Sequence, residues 1–159
     1  MQNLEKQVDA LMRLCVAEKE TDRNRVREEL MRMLELRKRG RMDPEEEVRR
    51  ILLELGAPDH LVGHPYVVRA ILLVVGDQLY INHITFGLYP QLAVEFDTTP
   101  ARVERAIRHL IEVTWVRGDI DVLDRYFGNT ISASRGKPTN GEFIARIANV
   151  VKSRMREAA

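Results

Sequence analysis

Apolar residues recur with the period of an α-helix in almost every segment of this sequence, and nothing longer than a few residues alternates with a period of two. Residues that favour the start or the end of a helix separate these segments. Prolines suited to a first helical turn occur at Pro44, Pro65, Pro90 and Pro100. The pattern therefore predicts an all-α fold, a bundle of about six helices after residue 43.

The predicted helices carry distinct terminal signals. They run over residues 43–55, 65–78, 90–96, 100–118, 120–127 and from 139 onwards. Asp43 can cap the first helix, and Thr139 with Glu142 forms a capping box at the start of the last one. The helix over 65–78 is apolar nearly all round, which indicates that it is buried in the middle of the domain.

Residues 1–42 form a separate helical segment according to their apolar pattern. Two stripes fall at helical spacing, one of Leu4, Val8, Leu11 and Cys15 and the other of Val26, Leu30, Met33 and Leu34. The residues between the stripes offer no apolar partner, so the segment is either a helical hairpin or one long helix. We expect a dimerisation or regulatory element that precedes a domain over 43–159. The stripes either pair two chains or pack onto that domain, and the pattern leaves both open.

Charge and composition exclude several classes of protein. Lys and Arg number 25 and Asp and Glu number 24, and both halves of the chain are balanced, so any basic face must be local. A single cysteine, Cys15, excludes a disulfide framework and a thiolate metal cluster. The longest apolar run, 70–75, is far too short to span a bilayer, and no signal peptide is visible. A cytoplasmic protein without a membrane partner is expected.

The sequence contains no motif for catalysis or for a cofactor. A Gly-rich phosphate loop, a paired-carboxylate motif and a catalytic triad order are all absent. His60 and His64 have the spacing of a metal-binding pair, but Pro58 and Pro65 disfavour a regular helix there and no third ligand is near. A loop or capping role is expected for both histidines. The chain is therefore predicted to be no enzyme, to hold no metal and to use no cofactor.

The segment 90–117 has the form of a helix-turn-helix, with a short helix, a tight turn and a longer helix. On a helical projection the longer helix gathers Val103, Ala106, Ile107, Leu110 and Thr114 on one side. The other side gathers Arg102, Arg105, Arg108 and His109, with Glu104 and Glu112 at its margins. A basic face near a helix N-terminus suits contact with phosphates and base edges. The alternative is the solvated face of an ordinary core helix.

Residues 51–155 carry an ordered series of motifs. The series includes Leu88-Tyr89-Pro90, Thr98-Thr99-Pro100-Ala101-Arg102, Val103-Glu104-Arg105-Ala106-Ile107-Arg108-His109, Trp115-Val116-Arg117-Gly118, Asn129-Thr130-Ile131-Ser132 and Lys137-Pro138-Thr139-Asn140. It resembles the C-terminal effector domain of the stage zero sporulation protein A family, the response regulators of endospore formation. A long ordered match of this kind is far more specific than a helix-turn-helix pattern alone.

The resemblance implies a six-helix domain that binds double-stranded DNA with its fourth helix in the major groove. Family members bind short operator boxes, often in tandem, and activate or repress genes at the start of sporulation. Carried over by position, three residues are expected to read base edges and three to lie near phosphates. The first three are Arg102, Glu104 and Arg105, and the others are Arg108, His109 and Lys137.

The sequence departs from the family pattern at several positions. Ala101 stands where a serine is usual, Phe86 where a lysine is common, and Val94 with Glu95 where a basic pair is frequent. Each missing cation removes part of the counterion-release contribution, so non-specific DNA affinity is expected to be lower. In the family, the region that corresponds to 119–127 contacts RNA polymerase, so the resemblance implies the polymerase as a further partner. This helix also differs from the family pattern, which weakens the expectation of transcriptional activation more than that of DNA binding.

The family carries a receiver domain upstream, and residues 1–42 are too short and too helical for that module. Control by receiver phosphorylation is therefore not expected. We expect a sequence-specific transcription regulator that binds adjacent boxes as a homodimer. The alternative is a protein-interaction module or antagonist that retains the fold but binds DNA weakly. The polar residues kept on the longer helix favour DNA binding, and the cations missing at Phe86, Val94 and Glu95 favour the alternative.

Overall fold

The computed structural model describes residues 24–25, 27–32, 42–128 and 136–158. The chain divides into two compact units, Met1–Met42 and Asp43–Ala159. In the first unit residues 24–25 and 27–32 are helical, and the side chains of Leu30 and Met31 are exposed. The other residues of the two predicted stripes, Cys15 among them, lie outside the described residues, so the hairpin and long-helix alternatives stay predictions.

The described part of the second unit consists of helices joined by turns and short loops, and it contains no strand. Its helices are α1 (Pro44–Glu54), α2 (Gly63–Gly76), α3 (Leu79–Asn82), α4 (Tyr89–Glu95), α5 (Pro100–Arg117), α6 (Ile120–Phe127) and α7 (Asn140–Glu157), with a π-helical turn (Ile84–Leu88) before α4. The predicted all-α class is confirmed, and each predicted helix is present. The sequence missed α3 and the π-helical turn, because elements this short show no period. None of the described helices is both long and apolar enough to cross a membrane.

The helix-start signals act as the sequence predicts. The Asp43 carboxylate accepts a hydrogen bond from the backbone N–H of Glu45 at 3.0 Å. The Thr139 hydroxyl accepts from the N–H of Glu142 at 3.2 Å, and the Glu142 carboxylate accepts from the N–H of Thr139 at 2.7 Å. These bonds satisfy N–H groups that have no partner inside the helix, and they fix where α1 and α7 begin.

The predicted bounds of α2 are wrong by two residues at each end. The helix begins at Gly63 and ends at Gly76, whereas the sequence predicted 65–78. The first four N–H groups of a helix have no intrahelical partner, so Pro65 is tolerated at its third position as well as at the first. A loop or capping role was expected for His64, and the loop alternative is wrong, because His64 lies within the first helical turn and is buried.

Helix α2 runs through the centre of the second unit and packs against α1, α5 and α7. Its side chains at Val67, Ala70, Ile71 and Val74 are fully buried, as the uniformly apolar sequence predicts. Trp115 of α5 packs edge-on against Phe127 and Phe143, with ring centroids 5.1 and 6.2 Å away. This confirms the interpretation of Trp115 as a residue of the core, where aromatic edge-to-face contacts are favourable.

A polar network ties α1 and α7 together at the edge of the core. The buried carboxylate of Glu47 accepts hydrogen bonds from Arg50 at 2.7 Å and from Arg154 at 2.6 Å. Tyr126 of α6 joins the network, because its hydroxyl donates to Glu54 and accepts from Arg154. Burial raises the pKa of the Glu47 carboxyl, and the hydrogen bonds from Arg50 and Arg154 outweigh burial, so the pKa lies below its ordinary value.

This lowered pKa predicts how stability depends on pH. Ionised Glu47 contributes its full stabilisation at pH values above 4.5, the pKa of the carboxyl in the unfolded chain. This contribution is lost as the pH falls through the lower pKa of the folded state. Glu47→Gln is expected to lower the free energy of unfolding by about 1–2 kcal/mol near neutral pH and by less in acid. Urea unfolding at the two pH values measures the difference. The exposed neighbour provides a control, Glu46→Gln, and equal losses for Glu47→Gln at both pH values would contradict the prediction.

Candidate nucleic-acid interface

Helices α4 and α5 are joined by a tight turn over 96–99. Within the turn the N–H of Thr98 donates to the carbonyl of Ala93 at 2.9 Å, and Asp97 has a positive φ of 48°. Aspartate is one of the few residues with a side chain that tolerate this left-handed conformation. The Thr99 hydroxyl then caps α5 by accepting from the N–H of Arg102 at 3.3 Å, and Pro100 begins the helix.

Helix α5 has a buried inner face and an exposed basic outer face. Val103, Ile107, Leu110 and Thr114 are fully buried on the inner face. The buried Thr114 hydroxyl donates to the carbonyl of Leu110 at 2.8 Å, so it leaves no polar group without a partner. The exposed outer face consists of Arg102, Arg105, Arg108 and His109. The structure thus places both sets of residues as the helical projection predicts.

The cations of this surface fall into two groups by their partners. Among the described residues, Arg102, Arg105 and His109 make no side-chain hydrogen bond or ion pair. Arg108 instead donates to the carboxylate of Glu104, one turn before it on α5. Lys137, which precedes α7, donates to Glu112 of α5 at 2.6 Å. Two of the predicted phosphate-contacting cations are therefore held by carboxylates of the same helix.

The Glu112–Lys137 pair lies in the open, with side chains 42% and 44% exposed. The hydrogen bond from Lys137 and its positive charge hold the pKa of the Glu112 carboxyl below its ordinary value. Glu112 is therefore ionised at neutral pH. An exposed pair of this kind is weak, because water and salt screen both charges. Another anion, such as a phosphate, can compete with the carboxylate for the lysine.

A cavity of about 960 Å³ lies beside the outer face of α5. Its lining includes Tyr89 and Ile111, and both ion pairs contribute residues to its wall. Asn140, at the start of α7, donates through one amide nitrogen to the Tyr89 hydroxyl at 3.0 Å and to the carbonyl of Glu104 at 3.1 Å. Asn140 thereby fixes α4, α5 and α7 against one another beside the exposed arginines.

The sequence did not assign a role to Asn140, although the residue belongs to the Lys137-Pro138-Thr139-Asn140 motif. An uncharged residue at a helix start carries no signal of a contact with residues 36 and 51 positions away. The family motif was the one signal that could have drawn attention to it. Lys137 in the same motif was singled out because the family resemblance implies a phosphate contact at its position.

The departures at Phe86 and at Val94 with Glu95 lie on the surface. Phe86 on the π-helical turn is 89% exposed and Val94 on α4 is 82% exposed. Glu95 is neutralised in part, since Arg69 donates to both of its carboxylate oxygens at 2.6 and 3.0 Å. The bond from Arg69 is the main reason that the pKa of the Glu95 carboxyl is lowered. Glu95 is therefore a weaker source of repulsion for an approaching polyanion than its charge suggests.

The short α4, the tight turn and the longer α5 with its basic outer face define a helix-turn-helix domain. The family model described as Sporulation initiation factor Spo0A C terminal matches residues 48–151, from α1 into α7. The chain belongs to this family, whose members are DNA-binding domains of sporulation transcription factors and not enzymes. The resemblance seen over about 51–155 is confirmed, and the match covers about two thirds of the chain.

Proposed function

We propose that this protein is a sequence-specific regulator of transcription that binds double-stranded DNA with α5 in the major groove. The single observation that carries the proposal is the pair of exposed arginines at the start of α5. Within the described structure Arg102 and Arg105 have no partner, and they extend from a helix whose opposite face is fully buried. Two exposed guanidinium groups carried by a packed helix near its N-terminus match the base edges and phosphates of a groove.

The other residues of this face have complementary roles in the proposal. Arg102 and Arg105 donate in pairs to guanine O6 and N7, the geometry that a planar guanidinium fits best. Glu104 accepts from Arg108 through one carboxylate oxygen, and its second oxygen can accept from a cytosine amino group. Arg108, His109 and Lys137 lie further from the helix start and are proposed to contact phosphates, which sets register rather than sequence.

Assembly on DNA is proposed from family membership. Two copies occupy adjacent boxes as a homodimer, and α6 with its exposed Ile120 forms a contact surface for RNA polymerase. Val116 at the end of α5 and Ile120 at the start of α6 are 86% and 80% exposed, and apolar groups this exposed suit a protein partner. Residues 1–42 are proposed to contribute to pairing or regulation.

Fluorescence anisotropy with a duplex that carries two tandem boxes of the family type tests the proposal. A scrambled duplex of equal length and composition is measured beside it at two salt concentrations. A preference of tenfold or more for the boxes, about 1.4 kcal/mol, is expected. Weak and equal binding to both duplexes would contradict sequence reading of these boxes and would favour the interaction module that retains the fold.

The Glu112–Lys137 pair predicts an unusual effect of removing an acid. Glu112→Gln is expected to free Lys137 for a phosphate, so both duplexes bind more tightly and the slope of log affinity against log salt steepens by about 0.9. Titrations at several salt concentrations measure that slope. Glu46→Gln removes the same charge from α1 and is the control, for which little change is expected. An unchanged slope in Glu112→Gln would contradict the prediction that Glu112 withholds Lys137 from a phosphate.

A further inference from the structure

A second cavity, of about 530 Å³, opens where the C-terminal ends of α1 and α5 meet the start of α2. Its polar lining comprises Arg49, Asp59, His60, His64 and Arg117. The cavity lies away from the residues proposed to read bases. Arg117 is the last residue of α5, fifteen positions after Arg102, which places the two about 22 Å apart along the helix axis.

His64 is the most unusual group in this lining. Its side chain is only 7% exposed, and neither ring nitrogen has a hydrogen-bond partner in the part of the chain that the structure describes. Burial lowers the pKa of the imidazole, and the charge of Arg49 lowers it further. No described side-chain nitrogen or oxygen is both fully buried and without a partner, so the ring nitrogens of His64 are open to the cavity. A ring that is otherwise buried thus presents its polar atoms to whatever occupies the cavity.

The two arginines of the cavity have donors to spare. Arg49 pairs with Glu45 through Nε and one terminal nitrogen, which leaves its other terminal nitrogen free in the described structure. The side chain of Arg117 makes no hydrogen bond to any described residue. Backbone groups already close the nearby helix ends, since Ala57 N–H donates to Leu52 and Gly118 N–H to Thr114. The arginines are therefore not needed to satisfy those carbonyls.

The charge of the lining selects an anion over a metal ion. Asp59 is the only acid that lines the cavity, and its side chain is 92% exposed, so water screens it. Arg49 and Arg117 line the same cavity, so its positive charges outnumber the single acid. No group of three or more metal-ligating side chains occurs among the described residues. Guanidinium groups bind phosphate with two parallel hydrogen bonds, and a neutral histidine adds a third donor.

We propose that this cavity binds the phosphate group of a small organic phosphate, held by Arg49, His64 and Arg117. The remaining wall is apolar and is formed in part by Leu53 and Ala57, so it offers a surface to the organic part of such a molecule. The volume lies within the usual range for small-molecule sites. The site adjoins the end of α5, and the proposal stands independently of which DNA sequence the other end reads.

NMR titration of the full-length protein tests the site. The probes are inorganic phosphate and adenosine monophosphate, compared with chloride at equal ionic strength, while the ring signals of His64 and the Nε signals of Arg49 and Arg117 are followed. Saturable shifts at these groups are expected, with tighter binding of the monophosphate because Leu53 and Ala57 contact its organic part. Arg117→Gln is expected to weaken binding about tenfold, whereas Arg125→Gln, on the exposed side of α6, leaves it unchanged.

Two outcomes would overturn the proposal. Shifts that do not saturate and spread over all arginines, or equal affinities for the Arg117→Gln and Arg125→Gln proteins, would show non-specific ion binding. A duplex that moves the same signals, together with a shallower salt slope in Arg117→Gln, would identify a contact with the DNA backbone instead. Neither outcome touches Arg102 or Arg105, so failure of this site remains distinguishable from failure of DNA recognition.

Discussion

Arg105→Ala is expected to weaken binding to box DNA by tenfold or more and to leave binding to scrambled DNA almost unchanged. The Arg105 side chain is exposed on the outer face of α5, three residues after Arg102, and has no partner among the described residues. A guanidinium that donates twice to guanine contributes about 1–3 kcal/mol of discrimination. The comparison of the two duplexes by fluorescence anisotropy therefore separates a base contact from a general attraction to DNA.

A second substitution at the same position sharpens this test. Arg105→Lys keeps the charge but loses the planar pair of donors, so it should lose most of the preference for the boxes while keeping the salt slope. Arg125→Ala, on α6, is the control for loss of a cation elsewhere on the surface. If Arg105→Ala weakens both duplexes equally and reduces the slope by about 0.9, Arg105 contacts a phosphate and not a base.

Arg105→Ala is not expected to change the stability of the folded protein, so a change in DNA binding can be attributed to the lost side chain. Arg105 is exposed and makes no contact that holds α5 in place, and alanine is the residue with the highest helix propensity. Thermal unfolding of Arg105→Ala should therefore match the original protein closely. A loss of DNA preference without a loss of stability is an effect on recognition, which distinguishes this face from the core positions of the same helix.

The sequence predicted the helices well because their signals are local. Asp43, Thr139 and the first-turn prolines act on backbone groups within three or four residues, so they can be read without knowing the fold. The buried and exposed faces of α5 could be predicted equally well, since the helical period of 3.6 residues assigns each residue to one face or the other. Family motifs added the expectation that Arg102 and Arg105 read bases, which no spacing can supply, because exposed arginines also occur on ordinary helices.

Contacts between distant parts of the chain were not predictable. The Glu112–Lys137 pair joins residues 25 positions apart, and nothing in the sequence around either one names its partner. His64 looked like a loop residue because Pro65 follows it, although a proline at the third helical position is allowed. The cavity around His64 depends on how the C-terminal ends of α1 and α5 are positioned relative to the start of α2. Such sites are properties of the packing, so they emerge only from the structure.

Gly63→Ala adds one methyl group to the buried start of α2 and is expected to destabilise the protein strongly. A Cβ at Gly63 would lie 2.2 Å from the carbonyl oxygen of Ala106 and 2.7 Å from its carbon. Both atoms belong to the backbone of α5, so a side-chain movement cannot relieve the clash. Separating α2 from α5 should lower the free energy of unfolding by about 3 kcal/mol, measured by urea unfolding.

The other end of α2 provides the matched control. A Cβ at Gly76 meets nothing within 4 Å, so Gly76→Ala is expected to stabilise the protein by about 0.5–1 kcal/mol through the lower entropy of its unfolded chain. Similar stabilities for the two variants would show that α2 and α5 are not in close contact. Because Ala106 lies between Arg105 and Ile107, a shift of the helix at this point moves the arginines that are proposed to read bases. Gly63→Ala protein that remains folded should therefore lose box preference, although Gly63 itself is buried beneath α5 and cannot touch DNA.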